Sequence, residues 1–265
     1  MTRTLTEAFA IAKSQDRAAL IGYLPAGFPT AAESVALITA MVEAGVDIVE
    51  VGLPYSDPLM DGPAIQAAVD IALSAGTTTD VVLDVVRQVA STGATTLVMS
   101  YWNPVERYGV ERFAEQMALA GGGGVITPDL TPEEAGPWMD ATNRHGLDRV
   151  FLVAPSSTDA RIATVCAATS GFVYAASTMG VTGARSQVSS AAPLLVERTR
   201  RLTSLPIAVG LGVSTGEQAH DLAAYSDGVI VGSAFVKRIL EAHDHAAAVA
   251  GVAALAAELA AGVRR

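Results

Sequence analysis

This 265-residue sequence is poor in cysteine, in aromatic residues and in positive charge. Its one cysteine, Cys166, excludes an internal disulfide framework, fits a reducing compartment and reads as a buried, inert thiol within a helix. Lys and Arg number 17 against 27 Asp and Glu, a net charge of -10, and no basic run exceeds Arg200–Arg201 or Arg264–Arg265. Charge of that sign repels phosphate backbones, so no nucleic-acid partner is expected. No G-x-x-x-x-G-K-[ST] loop, H-x-x-x-H pair or Cys/His cluster occurs, which argues against nucleotide hydrolysis and against a catalytic metal. The four histidines, His145, His220, His243 and His245, fall in predicted helices or at their ends. Lysine is scarce in the predicted strands, so a Schiff-base aldolase has no obvious nucleophile. The longest charge-free stretch, 162–184, is long enough to span a bilayer, but serine, threonine and glycine interrupt it. Glu7, Lys13 and Asp16 break any signal-peptide core. The expectation is a soluble, cytoplasmic chain with no membrane partner.

What is abundant is alanine and valine: 51% of the chain is hydrophobic and only 5% aromatic. Short β-branched runs at 20–24, 48–52, 96–100, 124–127, 150–153, 172–176, 207–210 and 228–231 read as eight strands. Helical spacing marks 31–44, 81–90, 110–120, 132–145, 159–168, 216–224 and 234–260, with a further helix over 64–75 after the second strand. Thr30, Thr79, Thr131, Thr158 and Ser214 are the expected N-caps. Eight β-then-α units without a linker predict a single (β/α)8 TIM barrel domain over residues 1–265. A doubly wound sheet competes less well, because Pro25-Ala26-Gly27-Phe28-Pro29 after the first strand is not a G-x-G-x-x-G turn. The run Gly121–Gly124 reads as the turn between a helix and the fourth strand.

Barrel chemistry sits at the C-terminal ends of the strands, so the residues after each run are the ones to question. Alternation along the second strand places Ile48, Glu50 and Gly52 on one face and Val49 and Val51 on the other. If the valines face the helices, Glu50 points inward, where burial raises a carboxyl's pKa toward the range useful for proton transfer. An inward acid paired to a base or hydroxyl is the structural alternative. The following loop carries Asp57 and Asp61 between Pro54, Pro58 and Pro63, which limit its conformations. Glycine-rich turns follow the seventh strand (Gly210, Gly212) and the eighth (Gly232, with Ser233 opening a helix). These are either simple turns or the adjacent loops in which barrels hold phosphate. The stretch 177–186 after the sixth strand is small and polar, as a closing loop would be, and Tyr174 shares an inward face with Phe172.

The run Glu50-Val-Gly-Leu-Pro-Tyr-Ser-Asp-Pro-Leu-Met-Asp61-Gly-Pro closely resembles the signature loop of the tryptophan synthase alpha subunit family. Tyr101-Trp102-Asn103-Pro104, Pro128-Asp129-Leu130-Thr131-Pro132-Glu133-Glu134, Gly180-Val181-Thr182-Gly183, Gly210-Leu211-Gly212-Val213-Ser214 and Gly232-Ser233-Ala234 match in order along almost the whole chain. The resemblance implies a lyase that cleaves indole-3-glycerol phosphate to indole and glyceraldehyde 3-phosphate. It implies Glu50 as acid/base and Asp61 as the partner of the indole N–H. Tyr174 would line the pocket, Thr182 would meet the aspartate when its loop closes over the substrate, and Gly183, Gly212, Gly232 and Ser233, with Gly210 beside them, would hold the substrate and its phosphate. It further implies a pyridoxal-phosphate beta subunit as partner in an α2β2 complex, the cofactor belonging to that partner and none to this chain. Met60 and Leu211 depart from the family's commoner residues. A free-standing lyase, a catalytically silent activating subunit and another phosphosugar isomerase on the same fold are the alternatives.

Overall fold

A computed structural model describes residues 3–176, 191–210 and 212–264. In chain order the elements are α1 (Leu5–Ser14), β1 (Ala19–Pro25), α2 (Ala31–Glu43), β2 (Ile48–Gly52), α3 (Pro63–Ser74), α4 (Thr79–Ser91), β3 (Thr95–Met99), α5 (Trp102–Tyr108), α6 (Val110–Leu119) and β4 (Gly124–Ile126). There follow α7 (Gly136–His145), β5 (Asp148–Val150), β6 (Leu152–Val153), α8 (Asp159–Ala168), β7 (Val173–Ala176), α9 (Ala191–Arg200), β8 (Ile207–Gly210), α10 (Gly216–Ala223), β9 (Gly228–Val231), α11 (Ser233–Leu240) and α12 (His245–Gly262).

Among the described residues the strands of the sheet pair in parallel, in the order β5-β4-β3-β2-β1-β9-β8-β7-β6, and a lone antiparallel bridge joins Arg17 to Arg264. The two ends of that order are consecutive in sequence, separated only by Phe151. Thr127 N donates to Val150 O (3.3 Å) on one side of this stretch and Tyr174 N to Phe151 O (3.2 Å) on the other. The sheet therefore closes into a (β/α)8 barrel of eight strand positions, the fifth split into two hydrogen-bonded pieces where the reading over 150–153 had one.

Two helices differ from the sequence reading. The helix expected over 132–145 begins at Gly136, and 132–134 form a turn. Pro137 explains it: a proline inside a helix clashes with the carbonyl four residues earlier, but it fits the first turn. The expected helix over 234–260 is two helices, because the Asp244 side chain accepts from Ala247 N (2.7 Å) and caps a new start. Caps also shift by one residue at two helices, to Thr78 and Thr215, while Thr30 and Thr158 cap as expected. Helices α1, α5 and α9 were not foreseen.

α12 is long and apolar enough to cross a membrane by length and composition. In the fold its Val252, Leu255, Ala256 and Leu259 are buried, and the helix packs on α2, α10 and α11. The barrel interior is filled by one apolar row, including Ile21, Ile48, Leu97, Ile126, Val150, Phe172 and Ile230. Leu5, Ala8, Phe9 and Ala12 of α1 pack under that row, with the Phe9 and Phe172 ring centroids 5.5 Å apart. The valines on the outer faces of the strands, Val49, Val51, Val98 and Val125 among them, join the larger cluster beneath the helices. The N-terminal end of the barrel is thus plugged with hydrocarbon, and any ligand must enter from the other end.

Candidate active site

Ile48 lies in the interior row and Val49 and Val51 in the outer cluster, so alternation turns Glu50 inward, one step above the apolar plug. The side chain is buried, 1% exposed, and Oε1 has no hydrogen-bond partner among the described residues. Desolvation alone raises its pKa from 4.5 to about 8, with no cation to oppose it. At neutral pH the group is a carboxylic acid inside the barrel, able to give a proton and to take one back.

Asp61 ends the loop that leaves β2, just before α3, whose first turn opens with Gly62 and Pro63. The Tyr101 hydroxyl donates to Asp61 Oδ1 (2.7 Å) and accepts from Met60 N (3.1 Å), using the phenol's donor and acceptor together. Gln66 Nε2 donates to Asp61 O (2.8 Å), and Asn103 Nδ2 donates to the hydroxyl of Tyr55, whose ring lies 5.6 Å from that of Tyr101. The proline-bounded loop is therefore pinned to the β3–α5 connection, which is itself fixed where Asp129 accepts from Trp102 N (2.9 Å). Burial raises the Asp61 pKa while the Tyr101 hydrogen bond opposes the rise. Burial in turn pushes the Tyr101 hydroxyl up, and Asp61 adds to the rise. Met60 serves through its backbone N–H, which its departure from the family's commoner residue leaves intact.

Two tyrosines complete the wall. Tyr174 on β7 and Tyr23 on β1 each lean over a glycine of the next strand in chain order. A Cβ on Gly210 would lie 2.4 Å from Tyr174 Oη, and one on Gly52 would lie 2.5 Å from Tyr23 Oη. In both cases the glycine is in register with the residue two beyond the tyrosine, Ala176 with Gly210 and Pro25 with Gly52. Burial raises both hydroxyls; the charge of Asp61 and, less, that of Glu50 add to the effect on Tyr23, and the charge of Glu50 adds to that on Tyr174.

The structure therefore brings Glu50, Asp61 and Tyr174 to one end of the barrel, as the alternation and loop arguments expected. Gly210 ends β8, Gly212 follows with φ +67°, and Gly232 precedes the buried Ser233 at the start of α11. The missing Cβ at Gly210 makes room for a tyrosine, a reason beyond anion approach. Thr182, Gly183, Leu211 and the stretch 177–186 lie outside the described residues. Sequence reasoning gave no role to Tyr23 or Tyr101. Tyr23 was within reach, because Ile21 and Tyr23 share parity on a strand paired with Glu50; Tyr101 follows β3, and its tie to Asp61 spans 40 residues. Among the described residues no group of three or more His, Cys, Asp or Glu is placed to hold a metal ion.

Residues 9–264 match the family model described as tryptophan synthase alpha chain. The chain is 60% identical to the tryptophan synthase alpha chain of Thermobifida fusca over 263 residues, covering 98% of this chain and 97% of that one. Its fold superposes on a chain of Mycobacterium tuberculosis tryptophan synthase with a TM-score of 0.94, 52% identity and full coverage of both. A tryptophan synthase alpha subunit from Legionella pneumophila gives a TM-score of 0.89 at 31% identity, covering 99% of this chain and 98% of that one.

Proposed function

We infer that this chain, which belongs to the tryptophan synthase alpha chain family, cleaves indole-3-glycerol phosphate as the lyase subunit of tryptophan synthase, with Glu50 and Asp61 as its chemical groups. The observation that carries the residue assignment is a buried carboxyl whose Oε1 has no partner among the described residues, one strand step above an apolar floor and at the same end of the barrel as Asp61.

The chemistry follows from those two acids. Glu50, protonated at neutral pH, gives its proton to C3 of the indole ring, which becomes a cationic indolenine. The positive charge spreads to the ring N–H, where the Asp61 carboxylate accepts a hydrogen bond and stabilises it. Tyr101 occupies Oδ1 of Asp61, which leaves Oδ2 for the substrate. The Glu50 carboxylate then removes the proton of the hydroxyl on the carbon bonded to C3. The C–C bond breaks, its electron pair returns to the ring, and indole and glyceraldehyde 3-phosphate result. Glu50 ends protonated, so the cycle balances without another acid.

Gly212, Gly232 and Ser233, with Gly183, are the proposed phosphate seat, supported by the start of α11 at Ser233 and its oriented backbone N–H groups. Tyr174, Thr182 and Gly210 are assigned to the pocket wall. Pyridoxal phosphate we assign to the beta subunit: a Schiff base needs a lysine, and Lys13 and Lys237, the two in this chain, lie on α1 and α11 away from the strand ends. A single domain over 1–265 is supported by one sheet that takes in every strand, and the cytoplasm is the compartment proposed for the α2β2 complex. The test is indole release from indole-3-glycerol phosphate, with and without the beta subunit. Wild-type protein releases indole; if Glu50→Gln releases it at the same rate, the assignment of Glu50 fails.

A further inference from the structure

Tyr23 lies on β1 directly across from Glu50 on β2, and its ring is buried. Its ring edge faces the start of α11, where a Cβ on Gly232 would lie 3.2 Å from Tyr23 Cδ1. Its hydroxyl fills the inward space at residue 52, one step beyond Glu50 toward the open end. Among the described residues that hydroxyl makes no hydrogen bond. The side chain thus runs along the wall from Gly232, in the proposed phosphate seat, to the space above Glu50. A three-carbon chain joining a phosphate at Gly232–Ser233 to a ring at Glu50 must span the same gap. Two hydroxyls lie on that chain: one becomes the carbonyl and belongs to Glu50, and the other takes no part in bond breaking.

Resting on the substrate reading above, we infer that Tyr23 is a specificity-determining residue whose hydroxyl hydrogen-bonds the non-reacting hydroxyl of the substrate's glycerol chain. A phenol both donates and accepts, so it satisfies an alcohol in either sense. Glu50, whose proton is committed to C3 and to the reacting hydroxyl, is not free to do so. The site would then select a chain that carries an alcohol at that carbon over a plain alkyl chain of equal length.

Tyr23→Phe in the full-length chain, assayed with its beta subunit, separates this role from packing. Two ligands are compared: indole-3-glycerol phosphate as substrate, and indole-3-propanol phosphate, which has the same ring and phosphate but no chain hydroxyl, as inhibitor. The expected result is a loss of about three- to tenfold in kcat/KM for the substrate, the worth of one neutral hydrogen bond, with the inhibition constant of the propanol ester unchanged. Equal weakening of both ligands would assign Tyr23 to wall packing, and no change in either would leave its hydroxyl without a function; each overturns the proposal. Glu50→Gln run alongside keeps the two readings apart. If it cleaves at the wild-type rate, the reading of the site falls and Tyr23 with it. If it is inactive while Tyr23→Phe is unaltered, only the Tyr23 proposal falls.

Discussion

Ile48 and Glu50 face the barrel interior from the same strand, about 6.5 Å apart along it, and meet opposite environments. The interior cluster takes an apolar side chain from every strand position, Ile21 in register with Ile48 among them, and α1 closes the space with Leu5 and Phe9. One step on, the same inward rows bring Glu50 and Tyr23, with Tyr174 following Phe172 on its strand. The lower layer holds the barrel together, while the upper one keeps a buried carboxyl with no counter-charge among the described residues. An inward acid is tolerated there because it stays protonated, and that proton is the one the proposed chemistry uses. Stability and reactivity are thus divided by depth along one set of strands.

The sharpest way to break that division is through Glu50. Its carboxyl titrates near 8 in the folded protein and near 4.5 when unfolded, so between those values the native state holds a proton the unfolded chain has released. Stability contributed by the group is present below about 4.5 and declines as pH rises to about 8, by roughly 4–5 kcal/mol in all. The urea midpoint of the wild type should therefore fall relative to that of Glu50→Gln between these limits; parallel curves would show that Glu50 titrates normally. The same substitution should lower cleavage about 10³-fold, the scale of a lost general acid, with the fold retained. In the wild type, kcat/KM should decline above pH 8 as the acid is lost.

Phe9→Ala is the converse test. Removing a buried ring beneath Phe172 leaves a cavity and should cost about 3–5 kcal/mol in denaturant unfolding, with kcat/KM for the folded protein unchanged. A stable variant with impaired cleavage would contradict the division by depth.

How much of this was legible beforehand follows the same line. Strand alternation is local, so the inward direction of Glu50 and the outward valines could be read from five residues. The loop 53–62 and its prolines were equally visible, as were seven of the eight strand positions as single runs. The plug was missed because α1 is a ten-residue amphipathic stretch before the first strand, and nothing local says that it packs beneath a barrel. The splitting of the fifth strand was hidden for a related reason: the barrel needs that stretch to pair on both sides at once. Tyr101 escaped because its hydrogen bonds to Met60 and Asp61 join loops from different strands.

Tyr101→Phe gives the smallest expected effect and bears on the upper layer alone. Burial raises the Asp61 pKa, and the Tyr101 hydrogen bond is the influence that holds it down. Without the hydroxyl the pKa rises further, a smaller fraction of Asp61 is ionised at a given pH, and less protein can stabilise the cationic ring. The acid limb of kcat/KM should shift to higher pH, with a loss of about three- to tenfold on that limb that shrinks as pH rises toward that of full ionisation. The ring of phenylalanine keeps the packing against Tyr55, so the unfolding midpoint should move far less than for Phe9→Ala. The shape of the profile separates the two duties of the hydroxyl. A loss that is constant with pH would mean that Tyr101 acts by placing the loop through Met60 N, whereas a shifted acid limb means that it acts on the charge of Asp61.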